Sequence, residues 1–229
     1  MPMAKHPAPA PDPIRLIIQV PARKLAVYRG NTLLKTYSVG LGRKQFPTPV
    51  GSFKVIRKLE NPGWENPYLG KGEMVVKPGA NNPLGTRWIG FKEDAKGEYG
   101  IHGTNRPDSV GKFSSHGCVR MRIADAEAVY ALVQVGTPVD VRYDRVEVVT
   151  RQGQLQVTVH PDYLGLAPLP PFDKTLKRIA QEYPRATIDP VRLKSALQTP
   201  TGTPVLLGRS GDEASVSSGN NTPVGKRGP

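Results

Sequence analysis

A mainly β fold with one principal helix, followed by a small α+β C-terminal subdomain, is predicted by three features of this 229-residue chain. Glycine and proline number 24 each, so turns recur too often for long uninterrupted helices. Apolar and β-branched residues come in short runs bounded by Gly, Pro or Asn, the pattern of strands. Helical spacing occurs once before Tyr143 and again only near the C-terminus.

Ile14–Val20, Lys24–Tyr28 and Thr32–Val39 read as consecutive antiparallel strands joined at Pro21-Ala22-Arg23 and Gly30-Asn31. Ser52–Leu59 alternates and reads as one further strand. Met74–Lys77, Trp88–Phe91 and Tyr99–His102 are brief strands among loops. In Ile123–Val135, the residues Ile123, Ala126, Val129, Tyr130 and Val133 fall at helical spacing, with Asp125 and Glu127 near the positive N-terminal end. Val139–Tyr143 returns as a strand. Residues 14–143 are thus read as one domain and 144–207 as an accessory subdomain. The latter holds a hairpin about Gln152-Gly153-Gln154, a proline-rich link at Ala167–Pro171, and helices at Phe172–Glu182 and Pro190–Leu197. Residues 1–13 read as a Pro-rich lead or linker. Residues 208–229, rich in Gly, Ser, Asn and Pro without an apolar period, read as a disordered tail.

The formal charge is +13, and Met1–Lys58 supplies most of it, with eleven bases against the single acid Asp12. These bases are scattered through alternating apolar residues, with no recognition helix or aromatic stacking motif, so nucleic acid is not the expected partner. A solvated basic face, or attraction to an anionic polymer such as a cell wall, fits better. No run approaches the length of a membrane helix, and the lead lacks the apolar core of a secretory signal. An internal disulfide is impossible with one cysteine.

That cysteine, Cys118, follows His116 by two residues and His102 by 16. A thiol beside a base is a nucleophile, because the thiolate is the reactive form. Gly117 permits a sharp bend before Cys118, and the amides of both residues could face the oxygen that becomes negative in acyl transfer. By strand alternation Arg120 shares a side with Cys118 and could hold a substrate carboxylate. The same set of His102, His116 and Cys118 would also suit zinc, although no fourth ligand recurs nearby. Trp64 and Trp88 read equally as groove lining or core, and His160 as structural.

His102-Gly103-Thr104-Asn105, followed by Ser115-His116-Gly117-Cys118-Val119-Arg120-Met121, resembles the signature of the YkuD-type L,D-transpeptidases, the ErfK/YbiS/YcfS/YnhG group. Val39-Gly40-Leu41-Gly42, Phe46–Phe53 and Asn82-Pro83-Leu84-Gly85 are similar to that family's recurrent loops. The likeness spans about Ile14–Tyr143. It implies a β-sandwich catalytic domain without metal or cofactor and a Cys118 acyl-enzyme. In that reading Cys118 attacks the third residue of a peptidoglycan tetrapeptide stem and expels the terminal D-alanine, and an acceptor amine then resolves the adduct. His102 would be the base, with the Gly103 carbonyl orienting its ring, and the Gly117 and Cys118 amides the oxyanion donors. His116, Arg120, Ser115, Thr104 and Asn105 would contact substrate, or His116 would give electrostatic support to the thiolate. The resemblance further implies an enzyme of the periplasm or cell wall, whose export signal or anchor lies outside this chain, and acylation by carbapenems. An L,D-carboxypeptidase, a transferase to a protein amine and a non-catalytic wall-binding module are the alternatives.

Overall fold

The computed structural model describes residues 12–65, 75–79, 81–95 and 97–211. The start of the lead, Gly70–Gly72, Met74 and the tail from 212 onward lie outside the described residues. The chain divides into two compact units, the first running to Arg145 and also taking in Pro161–Pro168.

In the first unit, strands β1 (Ile14–Gln19), β2 (Lys24–Arg29) and β3 (Thr32–Ser38) form the expected antiparallel meander. β4 (Leu41–Gly42) is short. Ser52–Leu59 is not one strand. It divides into β5 (Gly51–Lys54) and β6 (Arg57–Glu60), which belong to different sheets. The backbone between them explains the division: Val55 N–H donates to the Thr137 carbonyl (2.8 Å), whereas the next amide, Ile56 N–H, donates to Gly90 (2.8 Å) on the other sheet. A continuous alternation in sequence conceals such a crossing, because Val55 is buried as a strand residue would be.

β7 (Trp64–Glu65) pairs with β8 (Val75–Val76). The brief strands expected around Trp88 and Tyr99 are parts of a longer hairpin, β9 (Arg87–Asp94) and β10 (Gly97–His102), with an irregularity between Tyr99 and Gly100. After a single 3-10 turn at Pro107–Ser109 come β11 (Phe113–Ser115), parallel to β4, and β12 (Val119–Arg120), parallel to β10. Helix α1 covers Ile123–Leu132 and stops short of the expected Val135, since Val133 is extended and buried. β13 (Pro138–Arg142) inserts between β1 and β5, parallel to the former and antiparallel to the latter.

The result is two main sheets, ordered β3-β2-β1-β13-β5 and β12-β10-β9-β6, beside the two-stranded β4–β11 and β7–β8 pairs. Leu16, Ile18, Leu25, Val27, Val139 and Val141 of the first share one core with Ile89, Phe91, Ile101 and Val119 of the second and with Ala126 and Val129 of α1. That is the expected β-sandwich with one principal helix. Each fully buried aliphatic side chain contributes roughly 2 kcal/mol.

Pro161–Pro168 closes onto this unit through Leu164 in the core and Tyr163 stacked on Phe113, with ring centroids 4.4 Å apart. The second unit is a sheet of β14 (Val146–Arg151), β15 (Gln154–Val159) and β16 (Pro204–Arg209) with helices α2 (Phe172–Glu182) and α3 (Pro190–Gln198). Its hairpin turns on Gln152 and Gly153, both at positive φ (50° and 72°), the conformation of a tight two-residue hairpin turn. Asp189 caps α3 by accepting from the Val191 and Arg192 amides. β16 was not anticipated and carries the unit to Arg209, beyond the boundary read at residue 207. Its own core contains Leu155, Val157, Ile179, Leu193 and Leu207. Among the described residues no helix is long and apolar enough to cross a membrane.

Candidate active site

The parallel register of β10 and β12 aligns Ile101 with Val119 and His102 with Arg120. Strand alternation does the rest. Ile101 and Val119 point into the core, whereas His102 and Arg120, with Cys118 two residues before the latter, line one groove. The groove has a volume of ≈ 1120 Å³ and is walled by Phe46, Trp64, Trp88 and Tyr99 among others. Both tryptophans therefore reach the site.

His102 is buried, and its Nδ1 lies 2.5 Å from the Gly103 carbonyl oxygen. A carbonyl can only accept, so Nδ1 carries the proton and Nε2 keeps its lone pair. Burial pushes the imidazole down to about 4. The Gly103 carbonyl acts in the opposite direction, and Arg120 adds to the lowering. At neutral pH the ring is an uncharged base. Trp88 stacks on it, with centroids 5.6 Å apart and planes inclined by 22°.

Cys118 is the free cysteine of the chain and is partly exposed. Its Sγ is 3.8 Å from the Glu98 carbonyl oxygen. Burial raises the thiol above its ordinary value, against a hydrogen bond with the Gly100 backbone and the positive charge of Arg120, both of which favour the thiolate. The turn before it is held by Ser115, whose hydroxyl donates to the Cys118 carbonyl (2.6 Å) and accepts the Gly117 N–H (3.1 Å). Gly117 has φ +111°, and a Cβ there would meet Tyr99 Cε1 at 2.6 Å. Only glycine fits both the conformation and the space.

These contacts alter several expectations. The Gly117 amide, read as an oxyanion donor, is committed to Ser115 and does not face the groove. Ser115 is buried and serves the turn, although it borders the groove. Thr104 and Asn105, read as substrate contacts, do not line the groove. Thr104 Oγ1 accepts the Arg106 N–H (3.1 Å) and Asn105 Nδ2 donates to the Asn81 carbonyl (2.9 Å), both shaping the loop after His102.

His116 is exposed on the groove rim, where Arg43 donates to its Nε2 and Phe46 packs on its ring at 4.7 Å. Desolvation, Arg43 and Arg120 all lower its pKa, so the ring tends toward neutrality and does not lend the thiolate a positive charge. Arg43 was not singled out in the sequence, although it directly follows the Gly40-Leu41-Gly42 loop. Its backbone N–H bonds to Ser115 O at 3.0 Å, which ties that loop to the cysteine turn. Arg120 is held by a two-way backbone bridge with Gly40 (2.8 Å each way) and is half-buried. No group of three His, Cys, Asp or Glu suited to a metal occurs among the described residues.

Comparison with known proteins extends these observations. The family model for the YkuD L,D-transpeptidase catalytic domain matches residues 13–141. Among relatives bearing L,D-transpeptidase names, YqjB of Bacillus subtilis (strain 168) is 42% identical over 142 residues, covering 60% of this chain and 75% of that protein. YkuD of the same organism is 32% identical, covering 59% of this chain and 70% of its own length. YbiS of Escherichia coli (strain K12) is 29% identical over 210 residues, which is 85% of this chain but 62% of that protein. L,D-transpeptidase 3 from Mycobacterium tuberculosis, a solved structure, aligns at 18% identity and a TM-score of 0.48, covering 58% of this chain and 61% of that one. By the family model, which spans more than half of its length, and by its likeness to YqjB, the chain belongs to the YkuD family of L,D-transpeptidases.

Proposed function

We propose that this chain cross-links peptidoglycan stem peptides through a Cys118 thioester, outside the cytoplasmic membrane where that polymer lies. The observation that carries the reading is that His102 and Cys118 line one groove, with the His102 Nδ1–H turned to Gly103 and its Nε2 left as an acceptor. The thiol turns from the Glu98 carbonyl, passes its proton to His102 Nε2, and forms an S–C bond to the carbonyl of the third stem residue. The Cys118 amide supports the resulting oxyanion. Collapse breaks the C–N bond, and the departing D-alanine amine takes the proton from His102. An acceptor amine then forms the new amide bond, its proton passes to His102, and the C–S bond breaks with return of the proton to sulfur. Arg120, with Arg43 and His116 on the rim, binds stem carboxylates. The same thioester chemistry makes the chain a target of carbapenems.

The test is mass spectrometry of products from a purified disaccharide-tetrapeptide, beside Cys118→Ala. Cross-linked dimers with loss of D-alanine, absent from the variant, are expected. Tripeptide alone would favour an L,D-carboxypeptidase, and untouched substrate would sink the proposal. A carbapenem should leave one adduct per chain in the parent protein and none in Cys118→Ala.

A further inference from the structure

Behind the base lies a second set of contacts that the reaction as described does not use. Trp88, stacked on His102, is 8% exposed, and its Nε1–H donates to Glu98 Oε1 at 2.9 Å. Glu98 Oε2 in turn pairs with the Arg57 guanidinium, and the Glu98 side chain is only 12% exposed. A carboxylate so far withdrawn from water is costly unless paired and hydrogen-bonded, and here it is both.

Room for this arrangement is made by two glycines that face each other across the β9–β10 pair, Gly90 and Gly100. A Cβ on Gly90 would lie 1.9 Å from Glu98 Oε1, and one on Gly100 would lie 2.6 Å from Trp88 Cζ2. The hairpin thus has no side chain at the two positions where one would dislodge the carboxylate or the indole. Glu98 also meets the nucleophile, since its main-chain carbonyl oxygen lies 3.8 Å from Cys118 Sγ. One residue therefore touches the thiol directly and the imidazole through one intervening ring.

We infer that Glu98 is a positioning residue for acyl transfer. Its carboxylate anchors the Trp88 indole, and the indole fixes the plane of His102, whose edge is held by Gly103. An edge contact alone leaves the ring free to tilt about that bond, and a stacked face removes this freedom. A base displaced by about 1 Å can lose up to about a hundredfold in rate. The inference rests on the Cys118–His102 chemistry proposed above.

The experiment is single-turnover acylation by the disaccharide-tetrapeptide, read as adduct mass and D-alanine release. It compares the parent protein, Glu98→Ala, Glu98→Gln, Trp88→Phe and the Glu98→Ala/Trp88→Phe double variant, with Cys118→Ala as blank and a thermal melt of each. Glu98→Ala and Trp88→Phe should each lower the limiting rate by about tenfold to a hundredfold at an unchanged half-saturating concentration. Glu98→Gln, whose amide oxygen still accepts the indole N–H, should recover most of the rate. The double variant should be no slower than the slower single one, because both substitutions break the same link. An unchanged rate in Glu98→Ala, a change confined to half-saturation, failure of Glu98→Gln to recover the rate, or fully multiplicative losses in the double variant would overturn the inference alone. A parent protein that forms no adduct overturns the Cys118 reading, and this inference with it.

Discussion

His102 Nδ1 and the carbonyl oxygen of Gly103 stand 2.5 Å apart, so the edge of the base is held directly by the main chain of the next residue. A carboxylate partner would raise an imidazole pKa, whereas a carbonyl in a buried setting leaves desolvation in control, and the ring falls to about 4. Acylation should therefore hold its rate as pH falls through the ordinary histidine range and drop by half only near pH 4. Rapid-quench acylation between pH 3.5 and pH 8 would reveal this; a midpoint near 6.5 would contradict it.

The same shift links to folding. The unfolded chain protonates His102 near 6.5 and the folded chain near 4, so between these values the unfolded state binds more protons and stability falls as pH falls. Stability from this residue should be full above 6.5 and lost below about 4, a difference of about 3 kcal/mol. Urea titrations at pH 7 and pH 4 should show a smaller acid loss for His102→Gln than for the parent protein. Equal losses would show that the folded-state shift is not carried by this ring.

Gly117→Ala would force a methyl group to 2.6 Å from Tyr99 Cε1 in a backbone at φ +111°. The strain should cost about 1–3 kcal/mol and tilt the Cys118 turn, so that carbapenem acylation slows more than the melting temperature alone explains. Adduct formation measured well below the melting point separates the two effects. Unimpaired acylation would mean that the turn tolerates the distortion.

Tyr143 donates to Asp162 Oδ1 at 2.7 Å and accepts the Leu164 N–H at 3.1 Å, tying Pro161–Pro168 to its unit. Burial and the Asp162 hydrogen bond push its phenol up to about 12. Tyr143→Phe should lower unfolding free energy by about 1 kcal/mol, with turnover unchanged at temperatures where the protein is folded. A denaturant titration alongside the product assay tests both halves.

Much of the site was legible in the sequence because its parts lie on short segments with a simple period. Two-residue alternation is enough to group Cys118 with Arg120, and the cluster from His102 to Arg120 brings base and thiol into view. Residues that arrive from elsewhere were harder to see. Arg43, Trp88, Glu98 and Tyr99 acquire their roles from sheet order, which alternation does not encode. Ser115 was read as facing substrate, because a hydroxyl beside a nucleophile looks the same in sequence whether it binds ligand or closes a turn. Ser52–Leu59 was read as one strand because Val55 is apolar and buried on either interpretation, while the crossing is written only in the partners of two consecutive amides.

The two-rung ladder between β10 and β12 separates chemical spacing from chain length. His102 and Cys118 line the same groove because Ile101 lies beside Val119, whatever the intervening loop does. Adding or removing residues in the outer part of that loop changes chiefly a closure entropy, which grows only slowly with length. A slip of one rung is another matter. It would turn Val119 into the groove and drive Cys118 and Arg120 toward the core. Related chains can therefore differ in the span between base and thiol and keep the same reaction, provided that the apolar pair stays in register.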